Sequence, residues 1–146
     1  MAAAIAAGAT PDVAQPFDAD RMAALTEKLI AEAAMKGDCV IVGRGGQCVL
    51  ETCAEAFHVF VYAPWEQRFA RVQERAAGHC DIGELLRSAD RTSAAYIRRH
   101  FERNWKDPHL YHMMISSELG AEEVAAAIVG AVESREMAAL SRSAGF

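Results

Sequence analysis

The chain has 146 residues, 52% of them apolar, with a formal net charge of −5, which predicts one compact soluble domain with a sizeable core. The acidic balance argues against general nucleic-acid binding, which depends on a net basic surface. The alanine-rich start, MAAAIAAGAT, lacks a basic n-region and soon meets Pro11, Asp12, Pro16 and Asp18, so it is expected to be a flexible tail over 1–17, neither a signal nor a membrane span. Between Pro64 and Lys106 nine Lys/Arg stand against six acids, whereas elsewhere six stand against fourteen. A basic segment in an acidic chain suggests a local anion, such as a phosphate, more than a polymer. The four cysteines, Cys39, Cys48, Cys53 and Cys80, contain no CxxC pair and fit buried thiols in a reduced, cytoplasmic protein.

In chain order, Asp18 is an expected N-cap, with Phe17 and Met22 as a hydrophobic staple. Met22, Leu25, Leu29 and Ala33 then recur on one predicted helix face, and Gly37 stops that helix. Cys39 to Val42 is continuously apolar and runs into Gly43, Arg44, Gly45 and Gly46, which reads as a buried parallel strand ending in a glycine turn. Gln47 to Glu55 reads as a loop with one helical turn. Phe57 to Ala63 is a second expected parallel strand. Pro64 opens a helix with Trp65, Phe69, Val72 and Ala76 inward and Arg68, Arg71 and Arg75 on other faces; Gly78 ends it. Asp81 caps the next helix, whose apolar stripe includes Ile82, Leu86, Ile97 and Phe101 and extends towards Asn104. Tyr111 to Ser116 is a third, shorter strand, Gly120 precedes a last helix with Val124, Ile128, Val129 and Val132 as its core face, and 141–146 is expected to fray. Helices alternating with strands through short connections imply an α/β fold with a parallel sheet, and in such sheets ligands bind at the carboxyl ends of the strands.

Three runs, GDCVIVGRGGQCVL, HVFVYAPWEQRFARVQER and ADRTSAAYIRRHFERNWKDPHLYHMMISSELG, together resemble the cytidylate kinase-like family, a branch of the P-loop nucleoside monophosphate kinases, over roughly Asp20 to Val132. The most specific part is the set Asp90, Tyr96, Trp105, Asp107, Tyr111, Ser116 and Ser117 at fixed offsets. The resemblance implies a three-layer α/β domain over 18–140, with a parallel sheet and flanking helices. It implies ATP-dependent phosphoryl transfer to a CMP-type acceptor, with ATP and Mg²⁺ as cofactors. Arg44 matches the arginine that contacts the acceptor monophosphate, and Asp90 and Arg91 match a charged pair at the start of the helix leaving the lid; these three are the candidate substrate-binding residues. Arg68, Arg71 and Arg75 match the start of the lid over the donor triphosphate, and Ser116 and Ser117 the small polar pair near the donor base.

The departures from the family pattern have consequences. A P-loop kinase needs a glycine loop with GK[ST], whose amides and lysine cradle phosphates while the hydroxyl holds Mg²⁺. No glycine is followed by lysine here; the lysines are Lys28, Lys36 and Lys106. Ser93 stands where relatives usually show arginine, His112 where they usually show aspartate, and Val42 and Gly45 occupy positions that are acidic in true cytidylate kinases. The expectation is an N-terminally truncated P-loop kinase-like domain, inactive alone, or a non-catalytic binding or assembly module. The family's central strand lies between the strands matching Cys39 to Gly43 and Phe57 to Ala63, so its loss leaves a gap to be closed by direct pairing of those two, by the tail, or by a second chain, as in a homodimer.

Each site residue also has a plainer reading. Arg44 suits an exposed or salt-bridged turn, and Arg68, Arg71 and Arg75 suit a solvated helix face paired with Glu66 and Glu74. The histidines His58, His79, His100, His109 and His112 form no zinc spacing with the cysteines, so no metal site is expected.

Overall fold

The computed structural model describes residues 18–75 and 81–143. The chain divides into two compact units, 1–44 and 45–146. The Phe17 staple, the tail, Ala76, Gly78, His79, Cys80 and 144–146 lie outside the described residues.

In the first unit, α1 spans Ala19–Lys36. The Asp18 carboxylate accepts from the Asp20 N–H at 3.3 Å, and Gly37, at φ 74°, closes the helix by donating its N–H to the Ala34 carbonyl. The cap and stop are those expected, but the buried face is not. Ala23 and Ile30 are buried, whereas Met22, Leu25 and Leu29 are exposed. The stripe through Ala23, Glu27, Ile30 and Ala34 is rotated by one residue from the predicted one. Alanine occurs on every side of this helix, so hydrophobic period alone does not single out one face.

The expected strand at Cys39 to Gly43 does not form. Cys39 to Val42 lies in no ladder, and Val40 and Val42 are 92% and 86% exposed. Strand structure depends on a neighbouring strand to complete its hydrogen bonds, and a run of β-formers supplies only half of that. Cys39 is accordingly exposed instead of buried. The glycine turn itself is real: Gly43, Arg44 and Gly45 have φ of 72°, 57° and 76°.

The second unit holds α2 (Gly46–Val49), β1 (Val59–Tyr62), α3 (Trp65–Arg75), α4 (Ile82–Phe101), β2 (Met113–Ser116) and α5 (Ala121–Ser143). Among the described residues the sheet has two strands, parallel, with Val59 opposite Met113 and Tyr62 opposite Ser116. The described residues thus show the α/β character expected, a small parallel sheet of two strands with flanking helices. Among the described residues the buried apolar side chains of this unit are Leu86 and Ile97 of α4, Ile115 of β2, Val124 of α5, and Leu110 in a short 3₁₀ turn over Pro108–Leu110. Asp81 caps α4 by accepting from the Glu84 N–H at 2.9 Å, as its spacing predicts. The helix ends at Phe101, where Glu102 turns left-handed at φ 55°. In α5 Val124 is buried and Ile128 and Val132 are half-buried, but Val129 is exposed. The last helix, α5, continues to Ser143.

Two contacts lock the amino-terminal side of the ladder. The His58 N–H donates to His112 Nδ1 at 2.9 Å, and the His58 carbonyl accepts from the His112 N–H at 2.8 Å. The two imidazoles stack at 5.2 Å, and Phe57 stacks on His112 at 5.4 Å. Arg135 of α5 lies 5.7 Å from the Phe57 ring and donates to the carbonyls of Ala56 and Ala54. This places a guanidinium near His112, and burial, with Arg135 and His58, pushes the His112 imidazole below its ordinary value.

Two predictions follow from this packing. A depressed histidine contributes stability above its unfolded value of about 6.5 and loses it as pH falls towards the folded value. Protonation also removes the Nδ1 acceptor. Urea unfolding between pH 7 and 5 should therefore show a decline in stability that His112→Asn, which keeps an acceptor and cannot charge, lacks. Separately, a Cβ at Gly45 meets Phe101 Cε2 at 2.5 Å, and Gly45 has φ 76°. Gly45→Ala should cost about 2–4 kcal/mol in denaturant unfolding, from left-handed backbone strain and overpacking together.

Candidate functional site

The parallel ladder brings the carboxyl ends of β1 and β2 side by side, and an open cleft of roughly 660 Å³ lies there. Phe60, Val61, Tyr62 and Ala63 form one wall, Met114 of β2 and Ser117 just after β2 continue it, and Arg68 of α3 faces Ala89, Asp90 and Ser93 of α4. Trp105 and Lys106, from the segment after α4, close the remaining side. The walls are aromatic and the polar groups are few, which is the usual make-up of a small-molecule pocket.

The Arg68–Asp90 pair is the strongest polar contact in the cleft. Arg68 Nη1 and Nη2 donate to Asp90 Oδ2 and Oδ1 at 2.8 and 2.6 Å, a two-pronged guanidinium–carboxylate contact between α3 and α4. Both side chains are about 30% exposed or less. The hydrogen bond to Arg68 holds the Asp90 carboxyl below its ordinary range, and Lys106 adds to that. Asp90 reciprocally raises the Arg68 guanidinium.

Beside this pair Arg71 Nη1 donates to Ser117 Oγ at 2.8 Å and Nη2 to the Ser117 carbonyl at 2.9 Å. Ser116 Oγ accepts from the Glu118 N–H, capping a 3₁₀ turn over Ser117–Leu119. Gln67 Nε2 reaches Glu118 Oε1 at 2.8 Å. The first turns of α3 are thereby tied to the end of β2. Among the described residues no ion pair joins Arg68 or Arg71 to Glu66 or Glu74: Arg68 pairs across to α4, and Arg71, exposed as the plainer reading has it, reaches Ser117.

The predicted residues do not all converge. Arg68, Asp90 and Ser117 line the cleft, and Arg71 and Ser116 adjoin it. Arg91 instead reaches out to Glu84 at 2.5 Å and is 62% exposed. Arg75 is exposed at the end of α3, away from the cleft lining. Arg44 belongs to the first unit, exposed, in the left-handed turn.

Two lining residues escaped the sequence reading in this role. Trp105 is held by the Tyr111 hydroxyl, which donates to its carbonyl at 2.6 Å, and by an edge-on contact with Phe60 at 5.7 Å. Burial raises the Tyr111 phenol, consistent with a hydroxyl that stays protonated to donate. The Lys106 ammonium lies 5.3 Å from the Trp105 ring centre. The available signal was that Lys106 directly follows a tryptophan at the end of an arginine-dense helix.

Among the residues lining this cleft the one carboxylate is Asp90, and both of its oxygens are engaged by Arg68. The described residues contain no cluster of three or more His, Cys, Asp or Glu able to hold a metal. The donor set therefore suits a phosphate-bearing organic anion and does not suit a protein-held Mg²⁺, which ordinarily takes one or two free carboxylates. A second, more polar cleft beside Ala94, Arg98, Glu102 and Trp105 includes Arg103, tied to Glu51 at 2.8 Å. No described helix is long and apolar enough to cross a membrane.

A depressed carboxylate contributes stability above its unfolded value of about 3.9 and loses it as pH falls through the folded value. Asp90→Asn should cost on the order of 1 kcal/mol at pH 7, and the difference from the unsubstituted chain should shrink below about pH 4 in urea titrations.

Comparison with known proteins adds one finding to this geometry. No curated protein and no solved structure matches the chain. A family model described as the cytidylate kinase-like family matches residues 2–119, reaching further towards the amino terminus than the resemblance read from Asp20 onward. Together with the cleft at the carboxyl ends of two parallel strands, that match over most of the sequence shows that the chain belongs to the cytidylate kinase-like family.

Proposed function

We propose that this chain is a nucleotide-binding relative of the nucleoside monophosphate kinases that does not transfer a phosphoryl group on its own. The observation that carries the reading is the cleft itself: an aromatic wall facing Arg68, Asp90, Ser117 and Lys106 at the carboxyl ends of β1 and β2. The family relationship supplies the expected ligand class, a CMP-type acceptor or ATP. The lack of transfer rests on the sequence, in which no lysine follows a glycine. Phosphoryl transfer is driven by charge neutralisation around the moving group, and Arg68 already spends its charge on Asp90.

A second reading is an assembly module, and a specific observation favours it. Cys39 to Val42 is an apolar, β-prone run that lies in no ladder and is exposed at Val40 and Val42. Such a segment can add as a strand to a second copy or to a partner chain.

Calorimetric titration with CMP, ATP–Mg²⁺ and inorganic phosphate, beside a coupled kinase assay and light scattering, tests both readings. The expected result is saturable nucleotide binding without turnover. Turnover on CMP by the purified chain overturns the claim of inactivity, and absence of all nucleotide binding together with a stable dimer replaces the first reading by the second.

A further inference from the structure

The charges facing the cleft do not cancel. Arg68 and Asp90 neutralise each other through two hydrogen bonds, which leaves Lys106 as the excess positive charge among the lining residues. Among the described residues Lys106 forms no ion pair at contact distance, although its charge acts on Asp90 from across the cleft; its ammonium rests over the Trp105 indole at 5.3 Å. A cation–π contact at an exposed site is weak. A charge-assisted hydrogen bond to a phosphate is stronger, so the anion wins that competition. The indole itself stays in place, because its backbone is held by Tyr111 and its ring by Phe60.

Resting on the nucleotide-binding reading above, we propose that Lys106 is the phosphate anchor of this cleft and that Trp105 is the stacking platform it uncovers. With no anion present the ammonium lies on the indole. A phosphate draws the ammonium off, and the freed indole face takes the aromatic ring of the same ligand. One side-chain movement thereby couples recognition of the two ends of the ligand. The preferred ligand class is an aromatic ring carrying a phosphate; an unphosphorylated nucleoside leaves the platform covered, and a sugar phosphate leaves it bare. The flexible four-carbon stem of lysine suits this exchange, and its compact charge suits one phosphate group. Ser117, whose hydroxyl accepts from Arg71, also lines the cleft.

The test uses the full chain and its Lys106→Ala and Lys106→Arg variants, with CMP, cytidine and ribose 5-phosphate as probes, followed by calorimetry and by ¹H–¹⁵N NMR where binding is weak. Lys106 is exposed, so both variants should fold, and circular dichroism checks that they do. Lys106→Ala should weaken CMP about tenfold or more and leave cytidine nearly unchanged, so that the preference of CMP over cytidine collapses; Lys106→Arg should retain most of it. In a Trp65→Phe background, which leaves Trp105 as the sole tryptophan, CMP should alter the indole fluorescence more than ribose 5-phosphate does. CMP binding in the unsubstituted chain with the same CMP-to-cytidine preference in Lys106→Ala overturns this inference and leaves the nucleotide-binding reading standing. Failure of the unsubstituted chain to bind either CMP or ATP–Mg²⁺ overturns the reading on which the inference rests.

Discussion

The four-residue parallel ladder between β1 and β2 is the constraint on which the second unit depends. Parallel strands cannot be joined by a tight turn, so everything from Ala63 to His112 must leave the end of β1 and return to the start of β2. That long excursion carries α3, α4 and the Trp105–Lys106 segment, and it sets all three around the same open strand ends. A ladder this short has little stability of its own. Its amino-terminal side is extended by the His58–His112 exchange and covered by Arg135, while its carboxyl side is braced by Arg71 on Ser117 and by Arg68 on Asp90.

The same bracing gives the site its electrostatic character. An arginine held by both oxygens of an aspartate organises two helices, but it offers little net charge to a ligand. The cleft is consequently more a stacking pocket with a few hydrogen-bonding groups than a charged cradle. This agrees with a member of the cytidylate kinase-like family in which no lysine follows a glycine, and it turns attention from the arginines, conspicuous in the sequence, to a single lysine beside a tryptophan.

Much of the second unit was legible. The capping aspartate at 81 and the second and third strands emerge where periodicity and side-chain chemistry place them, because those signals are local. Among the candidate site residues, Arg68, Asp90 and Ser117 were named by resemblance and do meet in one cleft. Arg91 was named on the same grounds and turns away to Glu84: neighbouring positions on a helix point about 100° apart, so adjacency in sequence places only one of such a pair in a site. Trp105 stands in the sequence only as part of the family pattern and Lys106 only as one of the basic residues, because the wall they form exists only after the chain has folded back over Phe60.

The sequence by itself determined where helices start and stop in most cases, which runs favour extended structure, and the family to which the chain belongs, since capping chemistry, β-branching and motif spacing are written in neighbouring residues. Tertiary structure alone decided which β-prone runs become strands. Phe57 to Ala63 found β2 across more than fifty residues, whereas Cys39 to Val42, equally apolar, lies in no ladder. It also decided which arginines are spent on partners and which cation faces the cleft. The reason is the same in both cases: a strand and an ion pair each require a second group, and which second group arrives is a property of the folded chain.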